Sequence, residues 1–148
     1  MNEQKIINGL NYLLAKNYDT EQGYKTAAEK TDNQILAAFY RGKASNRFGY
    51  GHQIKDILRE MEADIEKGTT LEGKTRNAWV NFRTLFSYEK EEAILELIED
   101  SEESCLEEYD EFLNETVLPD SIRNIITSQN NNIARSLKRV DELEEKYT

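Results

Sequence analysis

Polar residues interrupt the apolar stripes of four helical patterns at similar depths, and they are the first candidates for chemistry. Amides and carboxylates can hold a metal, bind a small ligand or hydrogen-bond to one another. An unpaired polar group in a core costs roughly 1–3 kcal/mol, so four helices that each place one there predict a connected, buried polar layer that sets helix register. The candidate residues of this layer are Asn17, Glu21, Asn46, Gln53, Glu102, Gln129 and Asn132.

Tyrosines accompany these polar residues. Tyr18, Tyr24, Tyr50 and Tyr109 lie on or beside the inner stripes. A buried tyrosine packs its ring and gives its hydroxyl a hydrogen-bond partner, so we expect these hydroxyls in the polar layer. The chain has one histidine and one cysteine, which excludes a credible Ser-His-Asp or Cys-His catalytic set.

The same positions are where a helical bundle can hold two iron ions. Such bundles use a Glu from each of two helices and a Glu-x-x-His pair from each of the other two. Here residues 46–49 and 129–132 read Asn-Arg-Phe-Gly and Gln-Asn-Asn-Asn, so neither contains the pair. Amides are poor ligands for iron, and we therefore expect no catalytic residues and no cofactor. A weaker alternative is iron or another divalent metal held by Glu21, His52 and Glu102.

The apolar pattern predicts a helical protein. Hydrophobic residues recur at spacings of three and four, which is typical of helices that face a bundle core. Short turns separate the first long helix from the second and the third from the fourth, whereas a long connection joins the second to the third. The predicted helices cover approximately residues 2–30, 32–67, 76–87 (a short one), 89–116 and 120–146.

This arrangement predicts an all-α fold, namely a ferritin-like four-helix bundle with a long crossover between its second and third helices. The crossover contains the short extra helix, whose apolar side includes Trp79, Phe82 and Phe86. A length of 148 residues suits one domain over residues 1–148.

Glycines weaken the second predicted helix. Gly42, Gly49 and Gly51 fall inside it, and each costs roughly 1 kcal/mol relative to alanine in a helix interior. We therefore expect a kink or a break between residues 41 and 52, which leaves open a small cavity there.

Acidic residues outnumber basic ones, and the excess is local. The chain has 29 Asp and Glu against 19 Lys and Arg, a net charge of -10, and residues 89–115 alone hold 13 acids and one base. No comparable basic stripe exists, so a nucleic-acid-binding protein is not expected. The acidic helix is either a solvated face or a docking face for a basic partner or loosely held cations. A second set of charges has two interpretations, namely basic patches on the one hand, and a solvated face or partners for the acidic helix on the other. This set consists of Arg41, Lys43, Arg47, Arg135, Lys138 and Arg139.

Cysteine content and hydropathy bear on the compartment. A single cysteine, Cys105, excludes an intramolecular disulfide and fits a reducing cytoplasm, and we expect it to be a small core or boundary residue. The first residues lack the basic start and apolar run of a signal peptide. No stretch approaches the roughly 20 apolar residues that span a membrane. These features predict a soluble, cytoplasmic protein that does not bind membranes.

Four stretches carry a family resemblance. Residues 19–29 read Asp-Thr-Glu-Gln-Gly-Tyr-Lys-Thr-Ala-Ala-Glu and residues 46–50 read Asn-Arg-Phe-Gly-Tyr, while Trp79 precedes residues 92–96 and Leu118-Pro119 leads to Gln129. The first stretch resembles the Asp-Gly-x-x-Gly-Tyr-x-x-Ala-Ala-Glu signature of a bacterial ferritin-like four-helix-bundle family of unknown function, and the others agree with it. Thr20 departs from its usual Gly and Asn46 from its more frequent Gln. The resemblance covers nearly the whole chain and implies a fold, with no established activity or cofactor.

These observations favour a non-catalytic bundle that acts as an interaction or stress-associated protein. We expect it to form a homo-oligomer or to bind a protein partner, because the aromatic side of the short helix can help to bury one. The competing hypotheses are a divergent metal-binding oxidoreductase with a non-standard site and a small-molecule binder that uses a cavity at the glycine-rich part of the second helix.

Overall fold

The computed structural model describes residues 2–66 and 91–147, which form four helices. They are α1, Glu3–Lys30; α2, Gln34–Glu60; α3, Glu91–Glu115; and α4, Asp120–Lys146. The four pack as a bundle, which confirms the predicted all-α four-helix fold. Within the described ranges, no helix is both long enough and apolar enough to cross a membrane. The predicted short helix over residues 76–87, with Trp79, Phe82 and Phe86, lies outside the described residues.

Asparagine side chains cap the N-termini of two helices. The side-chain oxygen of Asn2 accepts from the backbone N–H of Lys5 at 3.1 Å, at the start of α1. That of Asn33 accepts from Leu36 at 3.1 Å, at the start of α2. Each cap satisfies an N–H group of the first turn that has no partner within the helix.

α2 ends at Glu60, earlier than the predicted residue 67. Glu62 follows with a left-handed φ of 56°, and the backbone N–H of Ala63 donates to the oxygen of Leu58 at 2.9 Å. This hydrogen bond closes the helix in a Schellman motif. Ile65 still packs against the core from beyond the helix, so the apolar pattern continues past the point where the helix stops.

The predicted break in α2 between residues 41 and 52 is wrong, because the helix is continuous over its whole length. Gly42 and Gly49 lie on its exposed side, where an added Cβ would meet nothing within 4 Å. The inward positions of the same stretch, Ala44 and Arg47, are buried. Packing of one face stabilises protein helices more than intrinsic propensity does, and it outweighs the roughly 1 kcal/mol that each glycine costs.

The four helices occupy the corners of a square. α1 lies beside α2 and α3, and α4 lies beside the same two, so α2 and α3 face each other across the diagonal. Lys5 donates to the backbone oxygen of Glu115 at 2.7 Å and Thr31 donates to Glu91 at 2.5 Å, so α1 and α3 are antiparallel. The short turn after α1 makes α2 antiparallel to α1 as well. The end of α2 and the start of α3 therefore lie at opposite ends of the bundle, as a crossover connection requires.

Among the residues that the structure describes, two apolar clusters fill the core. One includes Leu10 and Ile54, and the other includes Leu36 and Leu95. On α1, Asn17 lies between the residues of the two clusters, so the apolar core is interrupted by a polar layer near its middle. This layer holds the candidate site.

Candidate functional site

Arg47 of α2 and Glu102 of α3 form a buried ion pair at the centre of the bundle. They are 3% and 1% exposed, and the guanidinium Nη2 donates to Glu102 Oε1. The other carboxylate oxygen, Oε2, accepts from Tyr24 Oη at 3.0 Å. Taking two charges out of water is costly unless their remaining hydrogen-bonding groups are also satisfied, and here both carboxylate oxygens have a donor.

The guanidinium has further partners on two helices. Its Nη1 donates to Asn17 Oδ1 at 2.9 Å and to Cys105 Sγ at 3.3 Å. Its central carbon lies 6.0 Å from the centroid of the Tyr50 ring, a cation–π distance. Arg47 thus contacts α1 and α3 at once, and its planar fork is held in one orientation.

A chain of hydrogen bonds extends from this pair to α4. Asn17 Nδ2 donates to Tyr109 Oη at 2.7 Å, and Tyr109 Oη donates to Gln129 Oε1 at 2.7 Å. Gln129 Nε2 then donates to Gln53 Oε1 at 2.9 Å and to the backbone oxygen of Tyr50 at 3.3 Å. We call these residues, from Tyr24 through the ion pair to Gln53, the core network. It joins all four helices, so it ties their register together.

The ionisable groups beside the pair are held neutral. Burial raises the pKa of the Cys105 thiol more than the charge of Arg47 lowers it. Burial likewise raises the pKa of the Tyr24 and Tyr109 hydroxyls. A protonated, buried thiol is a poor nucleophile, so the network does not activate Cys105, which is a core residue as predicted.

Some of the predicted layer residues belong to the core network and others do not. Gln53 is exposed, yet it accepts from Gln129 and so joins the core network from the surface. Glu21 is buried at the edge of the bundle, where it pairs with Lys25 at 2.8 Å instead of with the network. The three that lie buried within the network are Asn17, Glu102 and Gln129.

Two predicted layer residues lie elsewhere. Asn46 is exposed on α2, so its assignment to the buried layer is wrong. Asn132 is half-buried on α4, where its side chain accepts from Arg135 and hydrogen-bonds the Tyr50 side chain, beside the core network and not within it. Asn46 precedes Arg47 directly, and one residue turns a side chain by about 100° around a helix. An error of one position therefore moves a side chain off the core face.

Arg47 is the central residue of the network. Of the predictions for it, a basic patch, a solvated face or a pairing with the acidic helix, the structure bears out the last, since Arg47 pairs with Glu102 of α3 in the core. The signal that locates it is spacing, since positions 36, 40, 44, 47, 51 and 54 follow one another by three or four residues. That register buries a charge, which is unfavourable unless an opposite charge faces it. Only the packing of α3 against the bundle shows that Glu102 does so.

The predicted tyrosines divide in the same way. Tyr24 and Tyr109 are fully buried and direct their hydroxyls into the core network. Tyr18 is 45% exposed, and Tyr50 contributes its backbone oxygen and its ring. The expectation that tyrosine hydroxyls complete the polar layer is confirmed for Tyr24 and Tyr109.

The alternative metal site is not assembled. His52 is exposed, with its ring 4.4 Å from that of Phe48, while Glu102 is occupied by Arg47 and Glu21 by Lys25. Within the described residues, the ligand atoms that do approach one another belong to a different, surface group between α3 and α4, in which they lie within 4.8 Å of one another. This group consists of Glu99, Asp141 and Glu144.

A comparison with known protein families finds a match over most of the chain. Residues 5–115 match the family described as Domain of unknown function (DUF2383). The chain belongs to this family. The matched part of the DUF2383 chain contains both members of the Arg47–Glu102 pair, whereas Gln129, which ends the network on α4, lies beyond it. A search of curated proteins finds no match.

Proposed function

We propose that this DUF2383 protein is a non-catalytic, ferritin-like bundle that acts as an interaction or stress-associated protein in the cytoplasm. In this proposal the Arg47–Glu102 ion pair occupies the central position where ferritin-like metal proteins hold two metal ions. The Arg47–Glu102 contact is the observation that carries the proposal. The antiparallel arrangement of neighbouring helices and the crossover topology support the ferritin-like assignment.

The argument rests on charge and on hydrogen-bond capacity. A buried carboxylate needs a cation, and a metal or an arginine can supply it. Here Arg47 supplies it, and arginine stays protonated in proteins. Both oxygens of Glu102 already accept hydrogen bonds, one from Arg47 and one from Tyr24. A metal at this position would have to displace the guanidinium, which is 3% exposed.

Metal analysis tests the first part. Protein purified without chelator from cells supplied with iron, manganese and zinc is analysed by plasma mass spectrometry, beside the Arg47→Gln variant. We expect both proteins to contain transition metal in amounts far below one ion per chain. A stoichiometric transition metal in the wild-type protein overturns the proposal in favour of a metal-dependent oxidoreductase.

The surface supports an interaction role. Phe48 is 54% exposed and Tyr18 is 45% exposed, and both line an open groove of about 550 Å³ between α1 and α2. Exposed apolar patches of this kind are where proteins bind other proteins. We propose that the chain associates with itself or with a protein partner. Light scattering after size-exclusion chromatography tests self-association, and a strict monomer at micromolar concentration contradicts it.

A further inference from the structure

Opposite sides of the bundle carry opposite charge. The side formed by α1 and α3 and the side formed by α2 and α4 lie across the square from each other. The first side is an open groove of about 830 Å³ whose floor includes Leu13 and Phe112. Three exposed acids on α3 stand at its rim, Asp100, Glu107 and Glu111. We call this surface the acidic groove.

The lysines of the acidic groove do not neutralise that rim. Lys16 pairs with Glu108 at 2.8 Å, and Lys5 donates to the backbone oxygen of Glu115 at 2.7 Å. Among the described residues, no ion pair involves the three rim acids. The groove therefore combines an apolar floor with uncompensated negative charge, which favours a cationic partner.

Two cations, Lys43 and Arg135, lie on the opposite side, between α2 and α4. Lys43 lies on α2, with its Nζ 5.6 Å from the centroid of the Phe39 ring, and Arg135 lies on α4, where it donates to Asn132. Within the described residues, neither Lys43 nor Arg135 forms an ion pair with a carboxylate. Burial lowers the pKa of Lys43, the charge of Glu102 opposes this, and the charges of Arg47 and Arg135 add to it. We call Lys43 and Arg135 the basic patch.

We propose that a second copy of this chain docks its basic patch on the acidic groove, so that copies associate head to tail. Charge complementarity carries the argument, because pairing either side with itself would bring like charges together. The two surfaces differ, so the contact is heterologous and can repeat along an open chain. This inference rests on the self-association proposed above and places it on the acidic groove and the basic patch instead of on the α1–α2 groove that contains Tyr18 and Phe48.

Paired charge reversals test the contact. Glu107→Lys with Glu111→Lys alters the groove, and Lys43→Glu with Arg135→Glu alters the patch. Because Lys43 is half-buried near Glu102, Arg135→Glu alone serves as a second patch variant that leaves the core untouched. A matched control, Glu103→Lys with Asp110→Lys, makes the same change in net charge as the groove variant but lies on the α3–α4 side, away from both proposed surfaces.

Sedimentation velocity provides the readout. Wild-type protein is expected to form species that grow with concentration in about 20 mM salt and to dissociate in about 500 mM salt, where the Debye length is much shorter. Each altered protein associates with itself at least about tenfold more weakly, whereas the control behaves as wild type. A mixture of the groove variant and the patch variant regains association, because the intact patch of the first fits the intact groove of the second and the two reversed surfaces again carry opposite charges. Either variant alone caps wild-type chains, since it has one intact surface and one reversed surface.

The outcomes separate this inference from the broader proposal. Wild-type protein that is monomeric at both salt concentrations overturns both self-association and the head-to-tail contact. Wild-type protein that associates while both reversal variants associate equally well overturns only the head-to-tail contact. The head-to-tail contact is also overturned if adding either variant leaves the size of the wild-type assemblies unchanged.

Discussion

Arg47 and Glu102 meet across the diagonal of the bundle, from α2 to α3, and both side chains are buried. The contact joins two helices that are not neighbours in the square. It therefore couples the α1–α2 half of the molecule to the α3–α4 half. Changing either residue should affect the stability of the whole bundle more than that of one helix.

Breaking this pair on one side leaves a buried charge without a partner. We expect Arg47→Met to lower the free energy of unfolding by about 3–5 kcal/mol. The double variant Arg47→Met, Glu102→Leu should recover much of that loss, since replacing both charges with apolar groups of similar size is often neutral. Urea denaturation followed by circular dichroism measures all three proteins. A single variant as stable as wild type contradicts the assignment.

The hydroxyl of Tyr109 links Asn17 to Gln129. Tyr109→Phe should therefore cost roughly 1–3 kcal/mol, because it leaves buried amide groups without a partner. Tyr40→Phe is the matched control, since the Tyr40 hydroxyl is buried and has no hydrogen-bond partner among the described residues. We expect the control to be neutral or slightly stabilising. Equal losses in the two variants would show that the network contributes no specific stability.

Gly9 lies where α1 approaches α3. A Cβ added there would come within 2.2 Å of Cε1 of the Phe112 ring. Gly9→Ala should therefore destabilise the protein by about 1–3 kcal/mol through overpacking. Gly42→Ala is its control, because that position is open, and it should stabilise the helix by up to roughly 1 kcal/mol. Thermal unfolding of both variants gives opposite shifts in Tm if the helices approach as described.

Glu99 should make stability depend on pH. Its hydrogen bond with Asp141, burial and the charge of Glu144 raise its pKa from 4.5 to about 7. An acid whose pKa is raised on folding binds its proton more tightly in the native state. Its contribution is therefore favourable below pH 4.5 and is lost as the pH rises through 7.

The test compares wild type with Glu99→Gln across this range. The free energy of unfolding of wild type should fall between about pH 5 and pH 7.5, and the variant should show a smaller fall, because glutamine does not titrate. Identical pH profiles would remove Glu99 as the source. A fall that is steeper in the variant would reverse the sign of the assigned effect.

The helical architecture could be predicted from the sequence, because it depends on local periodicity. Spacings of three and four residues indicate a helix whatever it packs against. The four long helices, and the polar interruptions at Asn17, Glu102 and Gln129, could therefore be predicted from the sequence. The pattern also extended α2 to residue 67, because Ile65 continues to pack on the core after the helix has ended. The spacing of apolar residues shows which residues are buried. Where a helix ends depends instead on its backbone hydrogen bonds, which apolar spacing does not reveal.

The centre of the bundle depended on tertiary structure. Whether Arg47 or Asn46 faces inward is a choice between adjacent positions, and intrinsic residue preferences favour burying the amide. The choice reverses because Glu102 faces the same space from the diagonal helix and supplies the opposite charge. In the same way, the glycines of α2 predict a break when judged alone, yet packing of its inner face keeps the helix continuous. Sequence therefore determined which segments are helical, and the partners across the core decided which side chains each helix buries.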